Sequence, residues 1–290
     1  MHDAIDRKRF SSPRLQIRGF TLVELAIVLT VIGLLVGAVM VGRGIIRASE
    51  LRSVMTETSS YVAAVNTFRL KYHSLPGDMI NATDFWGAAD ANPATCLTID
   101  KTGMTQTCNG NGDGKLNIGP GRAEIFYLWQ HLANAGVIGG NYSGRVGPHG
   151  PHNPAYGLFV VPGYNVPGSK LKVGAAYSFR ERGLNNSEND WFYGEYGTIL
   201  MLGMAMNSNN LPRGPLLAPE EMYKIDLKID DGLPGQGSLV TRTNRNPDTP
   251  FCTESAPGLA DDTIGTNLDA VYRLSDKELR CVLIYRNFFE

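Results

Sequence analysis

The sequence lacks an excess of charge of either sign: 27 lysines and arginines stand against 28 aspartates and glutamates, for a formal net charge of -1. No basic patch interleaved with aromatics occurs, so a nucleic-acid surface is excluded as the organising feature. Cysteine is absent from the first 95 residues and numbers four in all. Also missing are a nucleophile elbow, a zincin helix, a phosphate-binding Walker loop, a Cys-x-x-Cys pair and a dinucleotide-binding turn, which removes the common sequence signatures of catalysis. There is no internal repeat and no low-complexity tract long enough to be a linker.

Charge is scarcest between positions 20 and 41, where Glu24 is the only ionisable side chain. A run of this length matches the roughly 20 apolar residues with which a helix crosses a bilayer core. A carboxylate within it costs about 2.5–3.5 kcal/mol at mid-bilayer and less near an end, so Glu24 needs a partner. The basic residues before it, a new α-amino group if the chain is cut ahead of Phe20, or the amino terminus of a neighbouring subunit would serve. Residues 1–19 carry Arg7, Lys8, Arg9, Arg14 and Arg18 against Asp3 and Asp6. Such an excess marks the cytoplasmic side and places everything after Val41 across the membrane. An ordinary secretory signal fits less well, because its cleavage site follows a short apolar region, whereas Gly19 precedes the run.

Gly19-Phe20-Thr21-Leu22-Val23-Glu24-Leu25 behind a short basic leader resembles the prepilin signature of type IV pilins and type II secretion pseudopilins. The resemblance covers about the first fifth of the chain. It implies a cut between Gly19 and Phe20 by a membrane prepilin peptidase, N-methylation of the new amino-terminal Phe20, and a subunit-docking role for Glu24. It further implies other pilin or pseudopilin subunits and an inner-membrane assembly platform as partners. The route runs from a single-pass inner-membrane protein with a periplasmic head to a pilus or pseudopilus.

The helical period continues past the span. Leu51, Val54, Thr58, Tyr61, Val65, Phe68 and Tyr72 recur at alternating spacings of three and four and trace one face. Arg52, Glu57, Ser60, Asn66 and Arg69 are assigned to the opposite, solvated face. Residues 20–41 are thus expected as the membrane and assembly helix and 42–72 as its amphipathic continuation, which Pro76 and Gly77 end. A loop-rich region, 73–154, holds one helix with Ile125, Leu128, Trp129 and Leu132 on a shared face and Gly136 at its end. In 155–290, β patterns are expected at 158–161, 172–179, 198–204, 238–242 and 280–285, with a helix beginning near Pro219. The fold class expected is α+β, a long N-terminal helix laid against an antiparallel sheet in the head.

All four cysteines, Cys96, Cys108, Cys252 and Cys281, fall in the exported part, where disulfides form. Four cysteines allow three connectivities; Cys96 with Cys108 and Cys252 with Cys281 is favoured, since each pair brackets a local polar loop. Residues 108–117, Cys-Asn-Gly-Asn-Gly-Asp-Gly-Lys-Leu-Asn, resemble the front half of an EF-hand calcium loop. Asn109, Asn111 and Asp113 would be side-chain ligands, and Lys115 would give a main-chain carbonyl. Pro120 stands where the bidentate glutamate belongs, so Glu124, or Asp78 and Asp84, would have to substitute. The competing reading is a plain Gly/Asn turn. His149 and His152 read as a solvated loop, Asp226, Asp230 and Asp231 as a solvated helix end, and Trp191, Phe192, Tyr193 and Tyr196 as core. The functional expectation is a structural, non-enzymatic subunit of a type IV pilus or type II secretion pseudopilus, in a minor or tip position. The alternative is an exported enzyme or binding protein tethered by its span, for which an acid at position 24 has no use.

Overall fold

The computed structural model describes residues 20–94, 96, 105–119, 122–145, 160–185, 192–206, 211–242, 252–254 and 270–286. Gly19, His149, His152 and Trp191 therefore lie outside the described residues. The chain divides into two units, residues 1–48 and 49–290.

Helix α1 (Leu22–Tyr72) begins in the first unit. There, every large apolar side chain from Phe20 to Ile46 is exposed. Among the described residues α1 alone is long and apolar enough to cross a bilayer. A continuous apolar surface of this size demands either lipid or other protein.

In the second unit the helical stripe is buried as the spacing requires: Val54, Thr58, Val65 and Phe68 are inaccessible or nearly so, and Leu51, Tyr61 and Tyr72 are half-buried. Glu57 departs from its assigned solvated face. Its carboxylate accepts a hydrogen bond from the Tyr177 hydroxyl at 2.8 Å and one from Ser169 at 3.3 Å. The turn after α1 leads to the short helix α2 (Ala82–Trp86) and then to a two-stranded ribbon of β1 (Ile118–Gly119) and β2 (Arg122–Ala123). Helix α3 (Glu124–Asn134) follows, and Gly136 ends it at φ 71°, with Val137 N–H donating back to the Leu132 carbonyl.

The main sheet is antiparallel with strand order β3-β6-β10-β7, formed by β3 (Ala175–Glu181), β6 (Thr198–Met204), β7 (Leu239–Val240) and β10 (Leu283–Tyr285). Register pairs Tyr177 with Leu202 and Leu202 with Leu283. Period-two alternation sends Tyr177, Phe179, Leu200, Leu202 and Leu283 into one core with Trp129 of α3 and Phe68 of α1. Ile199, Met201 and Ile284 point the other way, into a second cluster closed by Tyr196, Leu211 and Val240. Both faces of β6 are thus buried, which is why its sequence reads as a nearly unbroken apolar run rather than an alternating one.

Strand expectations at 198–204 agree with β6, while 172–179 is displaced to Ala175–Glu181, 238–242 contracts to Leu239–Val240, and 280–285 contracts to its last three residues. Residues 160–161 are not in a strand, and 158–159 lie outside the described residues. Two small ribbons, β4 (Leu184–Asn185) with β5 (Gly194–Glu195) and β8 (Thr253–Glu254) with β9 (Val271–Tyr272), complete the strands among the described residues.

Helix α4 (Pro219–Ile229) starts with proline at its first position, and Glu221 accepts from the Ala218 N–H. Disulfides join Cys96 to Cys108 and Cys252 to Cys281, at sequence separations of 12 and 29. Loops of these sizes contribute roughly 3–3.5 kcal/mol each in the chain-entropy account.

Candidate functional site

Two places carry the chemistry that the sequence singles out: the start of α1 and the turn that follows its end. At the start, Thr21 and Glu24 form a reciprocal cap. The Thr21 N–H and hydroxyl donate to Glu24 Oε2 at 2.8 and 2.9 Å, and the Glu24 N–H donates to Thr21 Oγ1 at 3.2 Å. This is the Ser/Thr-x-x-Glu capping box, which satisfies two of the amide donors a helix start leaves open. Sequence reasoning weighed Glu24 and passed over Thr21, although a Thr three residues before a Glu at the head of an apolar run was the available signal. The box gives Glu24 Oε2 two hydrogen bonds but brings it no positive charge. Phe20, next to it, is 89% exposed.

At the other place, Asp78 from the turn after α1, Asp113 from the Gly/Asn loop and Glu124 at the first position of α3 bring carboxylate oxygens within 4.8 Å of one another. Two glycines make the closeness possible. Gly77 holds φ 92°, and a Cβ there would lie 2.4 Å from the Glu124 carbonyl oxygen. At Gly110 a Cβ would lie 2.3 Å from the Asp78 backbone. The turn is also held from the side: Gly77 N–H donates to His131 Nδ1 at 3.0 Å, so the ring proton sits on Nε2, which faces the Thr107 hydroxyl at 3.0 Å. Thr107 in turn donates to Gln130 Oε1 at 2.8 Å.

The loop wraps its amides around the acids. Asp78 Oδ1 accepts from Gly112 (2.6 Å) and Asp113 (3.2 Å), and Oδ2 from Gly114 (2.8 Å). Glu124 accepts from the Asn111 and Asn117 amides at 3.1 and 3.0 Å. Burial pushes the Glu124 carboxyl up to about 7, the Asn117 and Asn111 amides pull it back only in part, and the charges of Asp78 and Asp113 raise it further. Burial likewise raises Asp78, against the three amides that lower it.

Of the four residues expected as ligands, Asp113 belongs to this convergence. Asn111 lies beside it, donating to Asp113 Oδ2 at 2.9 Å while its Oδ1 accepts the Asp113 N–H. Lys115 N–H caps Asp113 Oδ1 at 2.9 Å. Asn109 is turned elsewhere, with its Oδ1 accepting the Thr83 N–H at 3.0 Å in the first turn of α2. Glu124 and Asp78 stand where substitutes for the missing glutamate were sought, and Asp84 is exposed on α2. Three carboxylates with only oxygen donors fit a hard divalent cation. Asp78, Gly112 and Gly114 also border a cleft of about 960 Å³ that gives access from solvent.

Asp226, Asp230 and Asp231 also converge. The solvated reading of this group is corrected, because Asp226 is fully buried, accepting from the Tyr272 hydroxyl at 2.6 Å and from Gly232 N–H at 3.3 Å. Burial drives its carboxyl to about 7. Asp230 accepts from the Ser238 and Leu239 amides and Asp231 from Leu233, so these acids close the chain around the end of α4. Phe192 and Tyr196 are buried, as expected of core aromatics.

Residues 14–40 match the family model described as the prokaryotic N-terminal methylation motif. The chain therefore carries the type IV pilin and pseudopilin signature, on an α+β architecture in which a long N-terminal helix precedes an antiparallel sheet. No curated protein and no solved structure matches the chain.

Proposed function

We propose that the chain is a structural, non-enzymatic subunit of a type IV pilus or type II secretion pseudopilus, occupying a minor or tip position. In this reading a prepilin peptidase cuts between Gly19 and Phe20 on the cytoplasmic face, Phe20 is N-methylated, and the subunit leaves the inner membrane with its head in the periplasm. The observation that carries the reading is Glu24: one carboxylate, five positions past Gly19, and the only ionisable side chain in residues 20–41, a stretch whose large apolar side chains are all exposed. The minor or tip position is supported by the size of the head, which occupies residues 49–290. The experiment is expression of the full chain with and without its prepilin peptidase and assembly platform. Peptidase-dependent shortening and entry into filaments are expected, and an unshortened chain in the presence of an active peptidase would reject the reading.

The carboxylates of Asp78, Asp113 and Glu124 would hold a structural Ca²⁺ that ties the loop to the end of α1. Such a site belongs to the weak class of extracellular modules, with Kd on the order of 10⁻⁴ to 10⁻³ M. With Ca²⁺ at about ten times Kd, mass action adds roughly 1.4 kcal/mol, a rise of about 2–4 °C in Tm for a head of this size. The pH dependence has a definite sign. Burial raises Glu124 in the fold from the ordinary value of about 4.5 to about 7. Between those values the folded head holds a proton that the unfolded chain has lost, so this group's contribution to stability falls as pH climbs from about 4.5 to about 7. Cation binding opposes that loss. Melting of the soluble head should therefore show the Ca²⁺ gain at pH 7.5, little of it at pH 5, and none in Glu124→Gln or Asp113→Ala. A gain of the same size in those variants would return the loop to a plain turn.

A further inference from the structure

Asn-Gly pairs occur twice in the sequence, at Asn109-Gly110 and Asn111-Gly112, both in the loop that wraps Asp78. Asparagine is thermally labile, and most so before glycine, where no side chain shields the next amide nitrogen from the asparagine Cγ. The fold treats the two pairs differently. Asn109 is half-buried with its Oδ1 accepting the Thr83 N–H at 3.0 Å, and Gly110 is buried with its N–H donating to the Met79 carbonyl at 2.9 Å. Asn111 and Gly112 are exposed. The Gly112 N–H donates to Asp78 Oδ1 at 2.6 Å and to the Asp78 carbonyl at 3.1 Å. Asn111 Oδ1 accepts the Asp113 N–H at 3.2 Å, and its Nδ2 donates to Asp113 Oδ2 at 2.9 Å.

We propose that Asn111 is a site of self-modification, where the fold promotes deamidation through a succinimide. The Gly112 nitrogen attacks Asn111 Cγ while Asp78 takes its proton, as a general base within hydrogen-bond reach of that proton. The Asp113 N–H stabilises the negative charge that develops on Oδ1. A bond forms from Gly112 N to Asn111 Cγ and the Cγ–Nδ2 bond breaks. The departing nitrogen takes up the proton that Gly112 lost, so ammonia leaves and Asp78 returns to its carboxylate. Water then opens the ring at either carbonyl and leaves aspartate or isoaspartate at position 111, with no change of oxidation state.

The modification changes what the loop needs. Asp113 Oδ2, which now holds an amide, then faces a carboxylate, and the acids Asp78, Asp113 and Glu124 gain a fourth. Like charges this close repel unless a cation lies between them. The modified loop therefore depends on a cation more than the unmodified one, a consequence that rests on the Ca²⁺ reading above, whereas the chemistry at Asn111 does not.

The test uses the full chain in detergent, held at neutral pH without added metal and mapped over time by peptide mass and isoaspartate content. A second sample is reduced and unfolded in urea, where Asn109 and Asn111 should convert at similar rates. In the folded chain Asn109 should stay intact while Asn111 converts about tenfold faster than in urea, or more, a modest share of what a positioned base contributes. Asp78→Asn should remove that excess, and an intact Asn109 in the variant reports that its loop is still folded. Folded wild-type Asn111 converting no faster than in urea would overturn the inference. So would an undiminished rate in Asp78→Asn with Asn109 intact; if Asn109 becomes labile in the variant, the wild-type comparison decides. Asn111→Asp should gain more melting temperature from Ca²⁺ than the wild type does. Equal gains would strike the consequence for the loop, and no gain in either chain would strike the Ca²⁺ reading, while conversion at Asn111 is judged by the mapping alone.

Discussion

Glu24→Val protein should enter the membrane at least as well as the wild type and be missing from assembled filaments. Removing a carboxylate from an apolar helix lowers the cost of insertion, by up to about 2.5–3.5 kcal/mol at mid-bilayer and less near an end. The cap that Glu24 makes with Thr21 gives its Oε2 two donors, the Thr21 N–H and hydroxyl, but no counter-charge. In the proposed assembly a neighbouring subunit's amino terminus would supply that charge, and valine could not receive it. The level of membrane-inserted protein has to be measured beside the assembled fraction, so that loss of assembly is separated from loss of protein. Thr21→Ala is the companion variant: it removes a cap worth roughly 0.5–2 kcal/mol and leaves the acid in place. It should therefore fray the first turn while assembly persists. Normal assembly of Glu24→Val would remove Glu24 from the docking step.

Gly77→Ala should be strongly destabilising for the head. The position requires φ 92°, and the added Cβ would lie 2.4 Å from the Glu124 carbonyl oxygen and 3.0 Å from the Leu128 amide nitrogen. Neither neighbour is a flexible side-chain end; both belong to the backbone of α3. Left-handed strain costs about 1–3 kcal/mol at a non-glycine residue, and the clash adds to it, so a loss of roughly 2–4 kcal/mol is expected. Thermal melting of the head measures it. The same shift carries Asp78 away from Glu124, so the variant should also lose its response to Ca²⁺. A variant that melts within a degree of the wild type would mean that the turn and α3 do not pack as closely as described.

Helices were legible in the sequence where a stripe of apolar residues ran long enough to be counted. The buried positions Val54, Thr58, Val65 and Phe68 follow directly from spacing, and Gly136 marks the end of α3. Glu57 was misplaced because its charge outweighed its position: it stands three residues after Val54 and four before Tyr61, on the very stripe that packs inward. Asp226 was read as solvated for the same reason, though it shares a face with Met222 and Ile229 and is paired with Tyr272 across 46 residues. β3 was placed too early because its last residues, Arg180 and Glu181, carry charge while their backbone still pairs with Ile199 and Thr198. The carboxylate group after α1 was visible only as alternatives. Asp78 and Glu124 are 46 positions apart, and what joins them is the close approach of Gly77 to α3, which no local pattern reveals.

The central claim is that Phe20 becomes the first residue of the mature chain and that Glu24 acts from that position. Intact-mass and peptide spectrometry of protein recovered from assembled material tests it most directly. The account predicts an amino-terminal peptide that begins at Phe20 and is heavier by one methyl group on its α-nitrogen. An assembled chain that still carries residues 1–19, or one cut anywhere other than between Gly19 and Phe20, would contradict it.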